Sequence, residues 1–352
     1  MIRLLLSSLL AIPCAAEEWS KLPSIPEPLG VAAPFAGVSG GALVVAGGAN
    51  FPDRMPWDGG KKVWHDKVWV LDKPDGTWRE AGKLPRPLAY GVSVNVFDMV
   101  MCIGGSDAER HYADVVLLEW QDGKLRVNYN HTPGSLPVRL ANAAAAVSET
   151  QAVYVACGST APDAPEASRR VFRAGWLERV LEWRELPPLP AEPRILPVAA
   201  AQGEAFYLFG GAAIELKDGK PVRRYLTDAW RYSETEGWKR LAEMPKSAVA
   251  APSPAPVAGG GIFIAGGDDG SLAGFSPPEK HPGFPGAVLR YDIAANTWKE
   301  TGKVPAPRAT LPSVEWQGGF VFPSGEVRPG VRSPEVWKWS GQLEGQTETK
   351  HD

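Results

Sequence analysis

A short apolar run that ends in a pair of small residues occurs six times in this sequence. The pairs are Gly47-Gly48, Gly104-Gly105, Cys157-Gly158, Gly210-Gly211, Gly266-Gly267 and Ser324-Gly325. Their second members stand 57, 53, 53, 56 and 58 residues apart. A second mark keeps the same register. Trp19, Trp78, Trp183, Trp238 and Trp298 each open a stretch that runs into a proline, at Pro23, Pro85, Pro187, Pro245 and Pro305. The third unit has Val127 and Pro137 in place of the Trp stretch. Two separate marks in register over six units predict six copies of one supersecondary unit, each too small to bury its own apolar face. Gly (38) and Pro (34) make about a fifth of the 352 residues, and 14 are Trp. Turn formers with large aromatics fit an all-β chain of short strands and exclude a disordered one.

A period of about 50 residues with a Gly-Gly strand and a later Trp strand resembles the kelch repeat. The resemblance implies an all-β, six-bladed kelch-type propeller with strands a to d running from the axis outward in each blade. The register also predicts how the ring closes. The first Trp stretch (18–22) precedes the first inner strand, and the last unit has no Trp stretch after its strand c near 335–340. The N-terminal strand is therefore expected to supply strand d of the sixth blade and leave no open sheet edge. In antiparallel blades the b–c loops and the d–a connections share one face.

A net charge of −3 gives no support to a sequence-independent nucleic-acid binder. The apolar run at 4–12 is far too short to span a bilayer. It follows Arg3 and precedes Cys14-Ala15-Ala16, the pattern of a secretory leader cut after Ala16. Pro13 argues against lipidation at Cys14. The expected organisation is a leader at 1–16, a propeller at 17–342 and a polar tail at 343–352, in an exported protein that is periplasmic or, alternatively, secreted. Cys102 and Cys157 lie in apolar inner strands and read as buried free thiols. The five His (65, 111, 131, 281, 351) show no metal-ligand spacing.

Two groups of residues are expected on the shared face. Arg86, Arg139, Arg194, Lys246 and Arg308 follow the Trp-stretch prolines at equivalent places, which reads as a cationic ring able to attract an anion. The bland reading is that each base pairs with a neighbouring acid. In the sixth unit Glu326 leaves strand b, Pro329-Gly330 makes a turn, and Arg332 enters strand c. That hairpin sets a carboxylate beside a guanidinium, suited to general base catalysis and two-point capture of a substrate carboxylate. The first unit adds a long insertion at 49–62 that contains Asn50 and Arg54 and is expected to reach over the same mouth.

Three linked phrases make the resemblance specific. They are Gly30-Val-Ala-Ala-Pro-Phe-Ala-Gly-Val-Ser39 with Ala46-Gly-Gly-Ala-Asn50-Phe51, then Arg86-Pro-Leu-Ala-Tyr90-Gly91-Val-Ser93, and Ser324-Gly-Glu326-Val-Arg-Pro-Gly-Val-Arg332. Together they resemble the N-acetylneuraminate epimerases, which interconvert the anomers of sialic acid. The Glu326 phrase comes last in this chain, so the resemblance is to a cyclically permuted branch. It implies Glu326 as proton acceptor and Arg332 as its partner at the substrate, an anionic sugar. It implies Arg86, Tyr90, Arg194 and the loop 50–62 near the substrate, and neither metal nor cofactor. A non-catalytic propeller that binds an anionic glycan or acidic peptide, and a mutarotase for another sugar, are the alternative readings. The sequence leaves the oligomeric state open.

Overall fold

The computed structural model describes residues 18–129, 134–177 and 180–340. The leader at 1–16, the tail at 343–352, His131 and His351 lie outside them. Six four-stranded antiparallel sheets succeed one another along the chain. Blade 1 is Phe35–Ser39, Ala42–Ala46, Lys67–Leu71 and Arg79–Lys83. Blade 2 is Val92–Val96, Met99–Ile103, Val115–Gln121 and Lys124–Asn128. Blade 3 is Ala144–Val147, Val153–Ala156, Val171–Leu177 and Val180–Leu186. Blade 4 is Val198–Gln202, Ala205–Phe209, Ala229–Ser233 and Gly237–Arg240. Blade 5 is Val257–Ala258, Gly261–Ala265, Ala287–Asp292 and Thr297–Lys303. Blade 6 is Val314–Glu315, Phe320–Pro323 and Val336–Ser340, and its outer strand is Glu18–Leu22. That strand pairs antiparallel with Val336–Ser340, from Glu18 opposite Ser340 to Leu22 opposite Val336, so the ring closes as the register predicts.

The core is divided among the interfaces between blades. Val44, Val70, Val100 and Val116 meet between blades 1 and 2, and Tyr154, Val171, Phe206 and Leu208 are fully buried between blades 3 and 4. The Trp mark has a physical cause in four blades. Each indole donates to a carbonyl beside the outer strand of the preceding blade: Trp78 to Pro23 (2.7 Å), Trp183 to Gly134 (2.9 Å), Trp238 to Pro187 (2.8 Å) and Trp298 to Ala242 (2.8 Å). The indole thus covers apolar surface while its one donor is satisfied.

The small pairs are a backbone requirement. The first member has φ of 64° at Gly47, 66° at Cys157 and 60° at Ser324, a left-handed region that other residues enter at some cost. The second lies at 85–104° in all six copies and is always Gly. A Cβ on Gly48 would stand 2.6 Å from Val31 Cβ. This is why the pair degenerates at its first place only.

Just before each strand a lies another left-handed residue: Ala33, Tyr90, Asn142, Leu196, Ala250 and Thr310. Their N–H groups donate around the axis in one sense. Tyr90 donates to Ala33 (3.2 Å), Asn142 to Tyr90 (2.8 Å), Leu196 to Asn142 (2.7 Å), Ala250 to Leu196 (3.0 Å), Thr310 to Ala250 (2.6 Å) and Ala33 to Thr310 (2.7 Å). Six backbone bonds form a closed ring that floors the mouth carrying the b–c loops.

Candidate functional site

Three b–c segments stand above this floor as two-stranded additions. Ala49–Asn50 pairs with Val63–Trp64 in blade 1, Ala212–Lys217 with Lys220–Tyr225 in blade 4, and Glu326–Arg328 with Val331–Arg332 in blade 6. Each starts at the residue after a small pair, where backbone bridges recur: Ala32 with Ala49, Ile195 with Ala212, Val249 with Asp268 and Ala309 with Glu326. The fold therefore aims the side chain that follows each pair at the mouth, and in blades 5 and 6 that side chain is a carboxylate.

Glu326 and Arg332 face each other across the Pro329-Gly330 turn, with Nη2 of Arg332 2.8 Å from Oε1 of Glu326. The Arg332 side chain is 3 % exposed. Its Nε donates to Ala49 O (3.3 Å), and its guanidinium lies 4.7 Å from the centre of the Phe51 ring. Nη1 is buried and has no hydrogen-bond partner. Burial pushes the Glu326 carboxyl above its ordinary value, while Arg332, Lys62 and Arg223 pull it back and Asp268 adds to the push. A carboxylate raised in this way is a stronger base than one in water.

The insertion after blade 1 comes down on this hairpin. Its 3-10 turn Pro56–Asp58 packs against Gly330 so closely that a Cβ there would stand 2.7 Å from Pro56. Phe51 and Lys62 thereby reach the mouth. The Lys62 ammonium lies 4.6 Å from the Tyr90 ring centre, 5.6 Å from Trp64 and 5.9 Å from Phe51. Asn50 is buried and holds the insertion in place, donating to Gly30 O (3.0 Å) and bonding His65 Nε2 through its side-chain oxygen (2.9 Å). Arg54 is exposed on the insertion.

The cationic ring takes the bland reading at four of its five places. Arg86 pairs with Asp114 (2.9 Å) and lies 4.4 Å from the Tyr112 ring centre. Arg194 is fully buried, with two bonds to Asp228 (2.7 and 2.8 Å) and one to Gly210 O (2.9 Å). Arg308 binds Glu335 (2.7 Å) and donates to Ser324 O (2.7 Å) beneath the Glu326 hairpin. Burial brings the Arg308 guanidinium down to about 10, against the pull of Glu335. Lys246 pairs with Glu300 (3.1 Å), and Arg139 is exposed. In blades 2, 4 and 6 the acid stands one residue before strand c, so each Arg clips the d–a connection to the next blade rather than facing a ligand. Charges matched in this way do not focus a field on the axis.

Sequence reasoning missed the blade 4 hairpin and the residues that it and blade 5 bring to the mouth. Arg223 and Tyr225 come from the hairpin, and Tyr225 donates to Asp268 (2.7 Å). Asp268 also accepts from Gly270 N–H (3.0 Å). The signal was present: Asp218-Gly219 between two polar runs is a two-residue hairpin turn. Ile214, Leu196, Tyr225 and Phe284 form an apolar surface next to the carboxylates. A cavity of about 560 Å³ opens at the other end of the axis, lined by residues that include Asn95, Val147, Ala201, Glu315 and Trp316, and holds none of these groups. The backbone ring lies between the two ends. Among the described residues no three His, Cys, Asp or Glu are grouped to hold a metal ion, and no helix is long and apolar enough to cross a membrane.

Comparison with known proteins agrees with the motif reading. A family model described as N-acetylneuraminate epimerase matches residues 8–127. N-acetylneuraminate epimerase from Yersinia pestis (strain Pestoides F) is 42 % identical over 108 residues, 28 % of this chain and 27 % of that protein. The protein of the same name from Brucella suis (strain ATCC 23445 / NCTC 10510) is 38 % identical over 134 residues, 34 % of each chain. The matches thus span about a third or less of the relatives' length. The family match takes in Asn50, Arg54, Lys62, Arg86 and Tyr90 and stops well before Glu326 and Arg332. In fold, the solved structure of YjhT is similar over 88 % of this chain and 94 % of that one, with a TM-score of 0.65 at 14 % identity. The six-bladed chain therefore carries in its leading blades the sequence resemblance to the N-acetylneuraminate epimerase family that its motifs express.

Proposed function

We propose that this chain is a mutarotase that interconverts the α and β anomers of N-acetylneuraminate in the periplasm. The observation that carries the reading is the Glu326–Arg332 pair, a half-buried base beside a buried guanidinium whose Nη1 has no partner. A sialic acid carries a carboxylate on its anomeric carbon. Nη1 of Arg332 is a free donor for that carboxylate, and its neighbour Glu326 then stands near the anomeric hydroxyl. The charges at the mouth support the same substrate class. Arg332, Lys62 and Arg223 all pull on Glu326, against the opposing push of Asp268, so cations surround the base, which suits an anionic substrate. A cyclic permutation accounts for a sequence match that ends at residue 127 on a fold match that covers most of the chain.

The chemistry needs two proton transfers. Ionised Glu326 takes the proton of the anomeric hydroxyl, the ring C–O bond breaks, and the ring oxygen takes a proton. The ketone turns about its C–C bond and closes on the other face. General acid–base help of this kind is worth about 10² to 10⁴-fold. A passive anion-binding face has no use for a carboxylate raised in basicity at its centre, which favours the enzyme over the binding module.

The test is proton NMR of freshly released α-N-acetylneuraminate with and without the protein. Faster appearance of the β signals supports the reading. Exchange at the buffer rate refutes it, and equal acceleration of galactose removes the carboxylate role.

A further inference from the structure

Mutarotation needs a proton donor for the ring oxygen as well as a base, and the mouth offers few. Tyr225 gives its hydroxyl proton to Asp268 (2.7 Å), and burial with that carboxylate pushes the phenol further up, away from donation. His65 is tied to Asn50 through Nε2 (2.9 Å). Arg332 is engaged by Glu326 (2.8 Å) and Ala49 O (3.3 Å), and a guanidinium such as it or Arg223 is a fork for binding anions rather than a proton donor. Lys62 remains. Its ammonium is seated over Tyr90 (4.6 Å), Trp64 (5.6 Å) and Phe51 (5.9 Å), and Phe51 also carries the Arg332 guanidinium (4.7 Å). Its charge acts on Glu326, but the only ion-pair partner of Glu326 among the described residues is Arg332. The base and the ammonium thus stand on one site without closing on each other. Beside them two buried donors, Arg332 Nη1 and Trp64 Nε1, have no partner.

We infer that Lys62 is the proton donor to the ring oxygen, held by the Phe51, Trp64 and Tyr90 rings opposite Glu326 across the space the sugar fills. The inference rests on the mutarotase reading. The step balances without a co-reactant. The Glu326 carboxylate takes the anomeric O–H proton, and that electron pair becomes the second C–O bond of the ketone. The ring C–O pair goes to the ring oxygen, which takes a proton from the Lys62 ammonium. The open-chain stage then has a neutral acid and a neutral amine, with the same net charge as before. Closure returns both protons.

The experiment measures anomer exchange of N-acetylneuraminate by NMR for the wild type, Lys62→Arg, Lys62→Gln and Tyr90→Phe, with kcat and KM for each. Lys62→Arg keeps the cation over the rings but cannot give up its proton. Both Lys62 variants are expected to lose about 10²-fold or more in kcat with little change in KM, a larger loss than that of Tyr90→Phe, which keeps the ring under the ammonium and removes only the phenol hydroxyl at the mouth. Saturation-transfer NMR of bound sugar shows that the variants are folded. A Lys62→Arg protein with wild-type kcat overturns the inference, because charge alone then suffices. So does a rise in KM without a fall in kcat, which makes Lys62 a carboxylate ligand, or a loss confined to Tyr90→Phe. A wild type that does not speed exchange overturns the reaction itself, a different result from an active wild type with active Lys62→Arg.

Discussion

Arg194→Met separates the two readings of the basic residues. The Arg194 side chain is 1 % exposed and that of Asp228 is 16 % exposed. The pair shares two bonds of 2.7 and 2.8 Å, and Trp230 donates to the same carboxylate (2.6 Å). Methionine fills much of the space but strips Asp228 of its countercharge and Gly210 O of a donor. Removing one partner of a buried pair costs about 3–5 kcal/mol. At roughly 2–4 °C per kcal/mol in domains of about 150–250 residues, Tm should fall by about 6 °C or more. Burial pushes Asp228 up, but Arg194 and Trp230 bring it below its ordinary value. A depressed carboxyl stabilises the fold above its unfolded pKa, about 3.9, and loses that contribution as pH falls through the folded value. The gap between wild type and variant should therefore narrow in acid. Adding Asp228→Leu should recover part of the loss. Thermal melts across pH give the stability, and NMR exchange at a permissive temperature gives KM, which should not change. An unchanged Tm with KM raised tenfold would make Arg194 a substrate ligand and refute the clip.

Glu326 must be ionised to accept a proton, so exchange should rise with pH through a value above that of an ordinary glutamate. Asp268→Asn removes an anion that pushes Glu326 up and should move this limb to lower pH, and Glu326→Gln should abolish the limb with about 10² to 10⁴-fold of rate. A carboxyl raised by folding contributes most when protonated, so the stability from Glu326 declines as pH climbs from its unfolded to its folded value, and Glu326→Gln should flatten that decline in a melt series. Deleting residues 18–22 opens the edge of Val336–Ser340 and should lower Tm and promote association, read by melting and light scattering. Cys102 and Cys157 are fully buried, and burial pushes both thiols up, Cys157 to about 12, so a thiol reagent should modify neither until the protein unfolds.

The fold was legible because its two marks are backbone and interface requirements. A left-handed step followed by an obligatory Gly, and an indole that reaches the preceding blade, both leave their residue types in the sequence at a fixed period. The Glu326–Arg332 pairing was legible for a similar reason, since Pro329-Gly330 fixes a tight hairpin and the pair sits at its base. The state of the basic residues was not, because residue type does not say which acid answers it. Arg86, Arg194 and Arg308 find Asp114, Asp228 and Glu335 some thirty positions on, each one residue before strand c. An acid at that recurring place was the available sign. Lys62 and Arg223 reach the mouth only through segments without the repeat's period, so their neighbours depend on how the blade 1 and blade 4 additions lean.

The ring of six backbone bonds at the floor runs in one rotational sense, each donor pointing to the acceptor of the blade before it. Dipoles arranged head to tail in a circle cancel, so the floor adds no net field along the axis, and the charge at the mouth is set by the side chains above. Because those six N–H and C=O groups are spent on one another, the mouth is floored by six side chains instead: two methyls, a phenol, a carboxamide, an isobutyl and a hydroxyl-bearing group. The backbone bonds are indifferent to what each side chain is. Around such a wheel the floor of the mouth can be rewritten one spoke at a time while the rim keeps its shape.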